Sequence, residues 1–138
     1  MVFENKLRIV FFGTPAWVIP FLDVLRDALD MEIALVVCPS DKPQGRDGEV
    51  RPCPVKLAAQ KYGLPLAQFA SLKKPETIDT LKNARAHLFV VLAYGKILPN
   101  TALVLPSLGS INVHPSLLPL YRGPDPIRAP ILRGDGQT

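Results

Sequence analysis

An apolar segment, a helical segment and a second apolar segment open the chain, and this order constrains its fold more than any other feature. Residues 7–12 are rich in β-branched and aromatic side chains and end at Gly13, which is typical of a buried parallel strand. Residues 16–29 repeat apolar side chains at helical spacing, and residues 31–37 form the second apolar run. A helix between two strands of one sheet makes a right-handed crossover. The sequence therefore predicts an α/β fold with a doubly wound, mostly parallel sheet.

The rest of the chain continues this alternation. Helices are expected over residues 55–62, 75–83, 98–105 and 127–133, and strands over residues 64–67, 87–95 and 109–113. We expect strand 87–95 to be central, because its run of β-forming residues is the strongest in the chain. His87, at its start, is expected to be exposed or structural. Thr14 followed by Pro15 is typical of a helix N-cap. No GxGxxG string follows the first strand, which excludes a conventional NAD-binding loop.

Residues 39–54 interrupt the pattern with a long segment rich in proline, glycine and charged side chains. A loop of about 15 residues inside a compact domain is usually functional or disordered. Lys42 and Arg46 could bind phosphate groups there, and Gly45 and Gly48 allow close approach of the backbone. Composition alone leaves a mobile surface loop and a binding loop equally open.

Candidate chemistry is concentrated at the end of the last predicted strand. Extended backbone places side chains two residues apart on one face. Asn112, His114 and Ser116 would therefore project together, while Ile111 and Val113 would project to the other face. Strand ends in open α/β sheets are where ligands bind. A lone histidine at such a place is more often structural than catalytic, so a catalytic role depends on the longer pattern around it.

The string from Asn112 to Gly123, NVHPSLLPLYRG, resembles the signature of the folate-dependent formyltransferases. That signature reads Asn-x-His-x-Ser-Leu-Leu-Pro, followed by a basic or aromatic pair and glycine. The resemblance implies a Rossmann-like formyltransferase fold and the transfer of a formyl group from 10-formyltetrahydrofolate to a primary amine. It also implies that Asn112 and His114 are the catalytic residues, donating hydrogen bonds to a tetrahedral oxyanion. His114 would in addition transfer a proton.

The same resemblance assigns residues to the formyl donor. The Ser-Leu-Leu-Pro string is the folate-contacting segment of the family, and it corresponds here to Ser116, Leu117, Leu118 and Pro119. The two leucines would give apolar contacts, and Ser116 and the backbone would give polar ones. Tyr94 completes the expected folate site, because it lies at the carboxyl end of the neighbouring predicted strand.

The long loop resembles that of one branch of the family, the methionyl-tRNA formyltransferases. Residues 41–46 match its Asp-x-Pro-x-Gly-Arg start, and residues 52–56 match its Pro-x-Pro-Val-Lys exit. This resemblance implies that the acceptor is initiator methionyl-tRNA, formylated for translation initiation, and that Arg46 and Lys42 bind the tRNA. Family members often carry a basic pair after the arginine, whereas an aspartate and a glutamate occur here within the next three residues. We expect these acids to weaken attraction to phosphate.

Two alternatives stay open. Formyltransferases acting on glycinamide ribonucleotide or on an amino sugar share the Asn-x-His pattern, but they generally lack the loop. The second alternative is a non-catalytic fragment that binds folate or tRNA. It stays open because the family's catalytic aspartate, in a Gly-Leu-Asp-Thr-Gly-Asp-like string, has no counterpart up to Thr138. Asp125 and Asp135 do not match its position. We therefore expect residues 1–138 to be the amino-terminal part of the catalytic domain, without the C-terminal tRNA-binding domain and with little or no activity alone.

Composition sets the remaining expectations. The chain is 48% hydrophobic and 20% charged with a net charge of +4, the profile of a soluble globular domain. No apolar run approaches the roughly 20 residues that cross a bilayer, and residues 1–6 resemble neither a secretory nor a transit signal. Cys38 and Cys53 lack metal-binding spacing. We thus expect a cytoplasmic protein with reduced cysteines, no metal and no membrane partner, for which the family resemblance favours a monomer at full length.

Overall fold

The computed structural model describes residues 6–138 and has a parallel sheet at its centre. The strands are β1 (Leu7–Gly13), β2 (Met31–Pro39), β3 (Lys42–Gln44), β4 (Glu49–Arg51), β5 (Leu66–Phe69), β6 (Leu88–Leu92) and β7 (Ser110–Asn112). The helices are α1 (Ile19–Asp27), which follows a 3-10 turn at Ala16–Val18, α2 (Pro54–Lys61), α3 (Pro75–Asn83), α4 (Asn100–Leu103) and α5 (Arg128–Arg133). Within the described residues, no helix combines the length and the hydropathy that a membrane span requires.

Five strands form one all-parallel sheet in the order β5-β2-β1-β6-β7. The side chains of residues 9–12 in the central strand β1 have no exposed surface. Helices α1 and α2 pack on one face of the sheet, and α3 and α4 pack on the other. The predicted doubly wound, mostly parallel sheet is therefore confirmed. Strand β6, which was expected to be central, lies inside the sheet between β1 and β7, while β1 occupies its centre. Chain order reverses at β1, and such a switch point is where open α/β sheets bind ligands.

The segment over residues 39–54 contains a β-hairpin, so the prediction of an irregular loop is wrong. Strands β3 and β4 pair antiparallel, with Lys42 opposite Arg51. Gly45 and Gly48 in the turn have φ of +71° and +68°, values that L-residues rarely adopt but that glycine adopts freely. The short, polar, proline-containing strands carry no alternating apolar pattern, and that pattern is the sequence signal for a hairpin.

Several elements are shorter than, or offset from, the patterns that predicted them. Helix α1 ends at Asp27 rather than at residue 29, and Leu29 is 90% exposed. Strand β6 ends at Leu92, because Ala93 and Gly95 turn the chain with φ of +47° and +84°. Strand β5 forms two residues later than expected, and α4 keeps only four residues of the predicted helix.

One apolar groove remains open between α1 and the outer strands. Its volume is about 530 Å³, and its walls include Phe21 and Val24 of α1, Leu88 of β6, and Ile111 and Val113 at β7. Val24 is 71% exposed and Ile111 is 49% exposed. The described part of the chain therefore covers this face of the sheet only in part.

Candidate active site

Asn112 is the last residue of β7, at the carboxyl edge of the sheet, opposite Val91 of β6. Ile111 and Val113 line the apolar groove, so alternation along the strand turns Asn112 to the other face. This arrangement agrees with the predicted separation of Asn112 from its apolar neighbours. Val113 N–H still donates to the Val91 carbonyl at 2.9 Å, and Pro115 then ends the ladder because it has no N–H to donate. The Asn112 side chain is exposed and open to a ligand.

His114 lies just beyond the strand, half-buried in a turn that folds back on its ring. Its Nδ1 is 2.8 Å from Ser116 Oγ, and its Nε2 is 3.2 Å from the carbonyl oxygen of Gly123. Ser116 Oγ also donates to the carbonyl of Leu120, at 2.9 Å. The turn thus places a polar group beside each ring nitrogen of the imidazole. Asn112 and His114 come from one short segment at one edge of the sheet, where the sequence predicted them.

The Ser-Leu-Leu-Pro string forms a tight turn with exposed apolar side chains. Leu117 and Leu118 are 61% and 58% exposed. Leu120 N–H donates to the Leu117 carbonyl at 3.1 Å, and the Leu118–Pro119 peptide bond is cis. Exposed leucines next to a polar imidazole offer an apolar surface to a flat ligand. Their folate contact stays a prediction.

Tyr94 has a different environment from the open cleft that its expected folate contact requires. Its side chain is 2% exposed, and its ring packs edge-on against Phe12 with centroids 5.4 Å apart. Burial raises its pKa to about 12, and its hydroxyl has no hydrogen-bond partner within residues 6–138. The ring is therefore part of the core, and only the backbone of Tyr94 faces the loops at the carboxyl edge.

Thr14 is a residue at this edge whose role differs from the N-cap that its Thr-Pro pattern predicts. Pro15, not Thr14, precedes the 3-10 turn, and no side chain caps that turn. Thr14 Oγ1 instead donates to the carbonyl of Tyr94, at 2.8 Å. The N-cap prediction is therefore wrong, and the hydroxyl joins the loop after β1 to the loop after β6. No local sequence signal reveals a bond between residues 80 positions apart.

The two ends of the long-loop motif meet at the base of the hairpin. Lys56 Nζ of α2 donates to Asp41 Oδ2 at 2.5 Å, and Gln68 Nε2 of β5 donates to Asp41 Oδ1 at 2.7 Å. These two hydrogen bonds hold the pKa of Asp41 below its usual value, and the bond from Lys56 has the larger effect. The first and last charged residues of the motif therefore close the hairpin base.

Lys42 and Arg46 project from this hairpin and are exposed. The two acids that follow Arg46, Asp47 and Glu49, both pair with Arg51 across the turn. Among the ion pairs of residues 6–138, none involves Lys42 or Arg46. The two acids share this one guanidinium, so their charges are only partly compensated within the hairpin, and the expected weakening of attraction to phosphate stays a prediction.

The hairpin and the His114 turn lie at the same edge of the sheet but are not in contact through the strands. The hairpin follows β2, and β1 and β6 separate β2 from β7. Three strand spacings correspond to about 14 Å. The structure therefore brings together the catalytic and folate candidates of the His114 turn, and it places the tRNA candidates at a distance along the same edge.

The other histidine and the two cysteines have structural environments. His87 Nδ1 accepts a hydrogen bond from the Arg8 N–H at 2.9 Å, at the start of β6, which confirms its expected structural role. Cys38 and Cys53 are buried and free. The Cys38 thiol lowers the pKa of Cys53 by hydrogen bonding to its sulfur, and the same contact raises that of Cys38. Within residues 6–138, no three acidic, histidine or cysteine side chains are grouped as metal ligands.

Known proteins resemble this chain along nearly its whole length. The family model described as formyl transferase matches residues 7–138. The chain is 46% identical over 133 residues to the methionyl-tRNA formyltransferase of Synechococcus elongatus, and 44% identical over 132 residues to that of Thermus thermophilus. These matches cover 96% of this chain but 41% and 43% of the relatives. The chain thus spans about two fifths of the length of the curated relatives that it matches.

Solved structures share the architecture at lower sequence identity. Glycinamide ribonucleotide transformylase 1 from Geobacillus kaustophilus matches with a TM-score of 0.72 and 23% identity, over 94% of this chain and 69% of that one. Phosphoribosylglycinamide formyltransferase from Bacillus halodurans matches with a TM-score of 0.69 and 21% identity, over 91% of this chain and 65% of that one. This likeness confirms the Rossmann-like fold expected from the sequence, and it extends to the fold alone.

Proposed function

The chain belongs to the formyl transferase family, and from this premise we propose that it is the amino-terminal part of a methionyl-tRNA formyltransferase. The full-length enzyme transfers a formyl group from 10-formyltetrahydrofolate to the amino group of initiator methionyl-tRNA, in the cytoplasm. The observation that carries the proposal is the position of Asn112 and His114 beside the exposed Ser-Leu-Leu-Pro turn. Identity of 44–46% to proteins named methionyl-tRNA formyltransferases supports this acceptor.

The proposed chemistry needs hydrogen-bond donors where negative charge develops. The amino nitrogen attacks the formyl carbon, and the formyl oxygen becomes an oxyanion. The Asn112 amide donates to this oxygen, a type of contact whose removal costs about 100- to 1000-fold in rate. His114 accepts a proton from the attacking nitrogen and returns it to the leaving nitrogen of the folate. Leu117 and Leu118 contact the apolar surface of the donor, together with Pro119 and the backbone of Tyr94.

The chain alone is proposed to lack part of what turnover requires. Residues 1–138 would form the amino-terminal part of the catalytic domain, and the tRNA-binding domain would lie in the remainder of the full-length protein. The coverage of about two fifths of each relative supports this division. Formylation of methionyl-tRNA by the isolated chain is therefore expected to be absent or very low.

A chimaeric enzyme tests the proposal. It consists of the Synechococcus elongatus relative, with residues 7–138 of this chain in place of its matching region. We expect the chimaera to formylate methionyl-tRNA, and we expect Asn112→Ala and His114→Ala each to lower kcat at least about 100-fold. His87→Ala is the matched control, since His87 lies at the opposite end of the sheet. Wild-type rates in both site variants would remove the proposed catalytic roles.

The competing acceptors are tested with the same chimaera. Glycinamide ribonucleotide and an amino sugar are offered in place of methionyl-tRNA, each with 10-formyltetrahydrofolate as donor. The proposal predicts that kcat/KM is highest for methionyl-tRNA. A higher value for either small amine would assign the chain to another branch of the family, and donor binding without turnover of any acceptor would support a non-catalytic role.

A further inference from the structure

One serine hydroxyl connects the imidazole of His114 to the backbone of its own turn. Ser116 Oγ lies 2.8 Å from His114 Nδ1 and 2.9 Å from the carbonyl oxygen of Leu120. On the other side of the ring, the carbonyl oxygen of Gly123 lies 3.2 Å from Nε2. Four residues of the turn thus form one chain of three contacts through the ring.

The number of available hydrogens decides which of these contacts exist together. A carbonyl only accepts, a serine hydroxyl donates one hydrogen, and a neutral imidazole donates one. When Ser116 donates to Leu120, its oxygen accepts from Nδ1–H of His114. Nε2 then carries a lone pair and does not donate to the carbonyl of Gly123. This contact is the longest of the three. A protonated ring has N–H at both nitrogens and satisfies all three.

We propose that Ser116 is a positioning residue that holds His114 in its Nδ1–H tautomer, so that Nε2 is the nitrogen that exchanges a proton. The hydroxyl acts as an acceptor for the ring because the Leu120 carbonyl takes its only hydrogen. Gly123 then stabilises the state in which Nε2 has gained a proton, since its carbonyl accepts from that new N–H. Ser116 orients the base on one side, and Gly123 stabilises its charged form on the other.

The proposal rests on the proposed function for the groups between which the proton moves. The acceptor amine forms a bond to the formyl carbon, the C=O electron pair moves to oxygen, and one amine proton passes to Nε2. Collapse of the oxyanion then breaks the bond between the formyl carbon and the folate nitrogen. That nitrogen keeps the bonding electron pair and takes the proton from Nε2, which leaves His114 as it began.

A direct folate contact by Ser116 is the alternative role, and kinetics separate the two. The hydroxyl already makes two contacts within the turn. A folate molecule could therefore bond only to its one remaining lone pair. Loss of a donor contact raises the KM for 10-formyltetrahydrofolate, whereas loss of the correct tautomer lowers kcat.

The two histidines of the chain provide an internal reference for a spectroscopic test. His87 Nδ1 accepts from the Arg8 N–H at 2.9 Å, so its neutral ring carries the hydrogen on Nε2. The neutral ring of His114 is expected to carry it on Nδ1. Long-range ¹⁵N–¹H spectra of the 138-residue chain, recorded about two pH units above the ordinary titration point of imidazole, should therefore show opposite tautomers for the two rings.

Three variants isolate the hydroxyl. Ser116→Ala should shift His114 towards the Nε2–H tautomer, because the Gly123 carbonyl then remains as the acceptor for the ring. Ser116→Thr keeps a hydroxyl and should restore the Nδ1–H signal. Ser110→Ala is the matched control, since Ser110 Oγ donates to the Leu103 carbonyl at 3.0 Å and contacts no histidine in the described hydrogen bonds.

In the chimaera, Ser116→Ala should lower kcat about 10- to 100-fold, with the donor KM within about twofold, and Ser116→Thr should recover most of the rate. An Nε2–H ring at His114 in the unsubstituted chain, or an unchanged tautomer in Ser116→Ala, overturns the proposal. A raised donor KM at constant kcat overturns it as well. If the ring responds as expected but the chimaera does not formylate methionyl-tRNA, the positioning role holds and the proposed acceptor is wrong.

Discussion

Tyr94 lies directly beneath the carboxyl edge, where its ring fills the core and its hydroxyl is buried without a partner among residues 6–138. A buried hydroxyl that lacks a hydrogen bond destabilises the folded state, because it has lost its contacts with water. Its backbone carbonyl, in contrast, is held by Thr14. Tyr94 therefore contributes to the carboxyl edge through its main-chain carbonyl, and its hydroxyl is dispensable for packing.

Removal of that hydroxyl is expected to stabilise the protein. Tyr94→Phe keeps the ring contacts and should raise the free energy of unfolding by about 1 kcal/mol near neutral pH. An unfolded tyrosine ionises near pH 10, whereas burial raises the folded pKa to about 12. The folded state thus retains the proton that the unfolded state loses, so the native protein loses stability as the pH rises through this range. The Tyr94→Phe variant has no such group to ionise, so the difference in free energy of unfolding between the variant and the native protein should increase with pH.

Urea unfolding at about pH 7 and at about pH 11 measures both effects. Tyr62→Phe is the control, because Tyr62 is only half-buried and stacks with Arg26 at the molecular surface. Equal or lower stability of Tyr94→Phe at both pH values would show that the hydroxyl has a partner that stabilises it.

The hairpin β3–β4 is an element whose shape depends on contacts remote in sequence. Asp41, before β3, is joined to Lys56 of α2 and to Gln68 of β5. The strands themselves are short and mostly polar, so little apolar burial holds them. The ion pair at the base therefore fixes the position of the hairpin on the sheet.

Asp41→Asn is expected to loosen the hairpin. The variant loses the ion pair with Lys56, and limited proteolysis should cut the turn at residues 45–48 several-fold faster near neutral pH. The pKa of Asp41 is held below its usual value, so its contribution is present above about pH 4, the ordinary aspartate range, and is lost as the pH falls through the folded pKa. The cleavage rates of the two proteins should converge in acid. Asp47→Asn, which alters an exposed pair with Arg51, should change cleavage little, and equal effects of both substitutions would contradict the assignment.

Sequence patterns predict those elements whose buried residues follow one another, or alternate regularly, along the chain. Strand β1 was predicted because a strand buried on both faces is a continuous apolar run, and Asn112 with His114 because a two-residue spacing survives in extended backbone. The hairpin was missed because Asp41, Lys56 and Gln68 meet only after folding. Thr14 was misassigned for the same reason, since its partner is the distant carbonyl of Tyr94. Patterns within a few residues predict local structure, and contacts between distant segments need the fold.

Across the whole molecule, the candidate residues share one edge of the sheet. The hairpin with Lys42 and Arg46 follows β2, and the His114 turn follows β7, about 14 Å away. Both follow the carboxyl ends of parallel strands, where an open sheet binds its ligands. Under the proposed function, tRNA would contact the hairpin while its aminoacyl end reaches the imidazole.

Removal of positive charge from the hairpin should weaken tRNA binding without affecting the chemistry. Lys42→Ala and Arg46→Ala in the chimaera should each reduce the slope of log affinity against log salt by about one, with kcat at saturating tRNA unchanged. Lys61→Ala is the matched control, because it removes the same charge at the end of α2, on the opposite edge of the sheet. Equal losses of affinity in Lys42→Ala and Lys61→Ala would show that overall charge, rather than the hairpin, attracts the tRNA.

The separation across β1 and β6 also makes the length of the acceptor important. An aminoacylated fragment of only a few nucleotides would reach the imidazole without touching the hairpin. Such a short substrate would gain nothing from Lys42 and Arg46, and it would lose nothing when they are replaced. Preference for an intact transfer RNA over a minimal aminoacyl ester would then depend on the distance between the hairpin and the imidazole. The rate of the formyl transfer step itself would not depend on the length of the RNA.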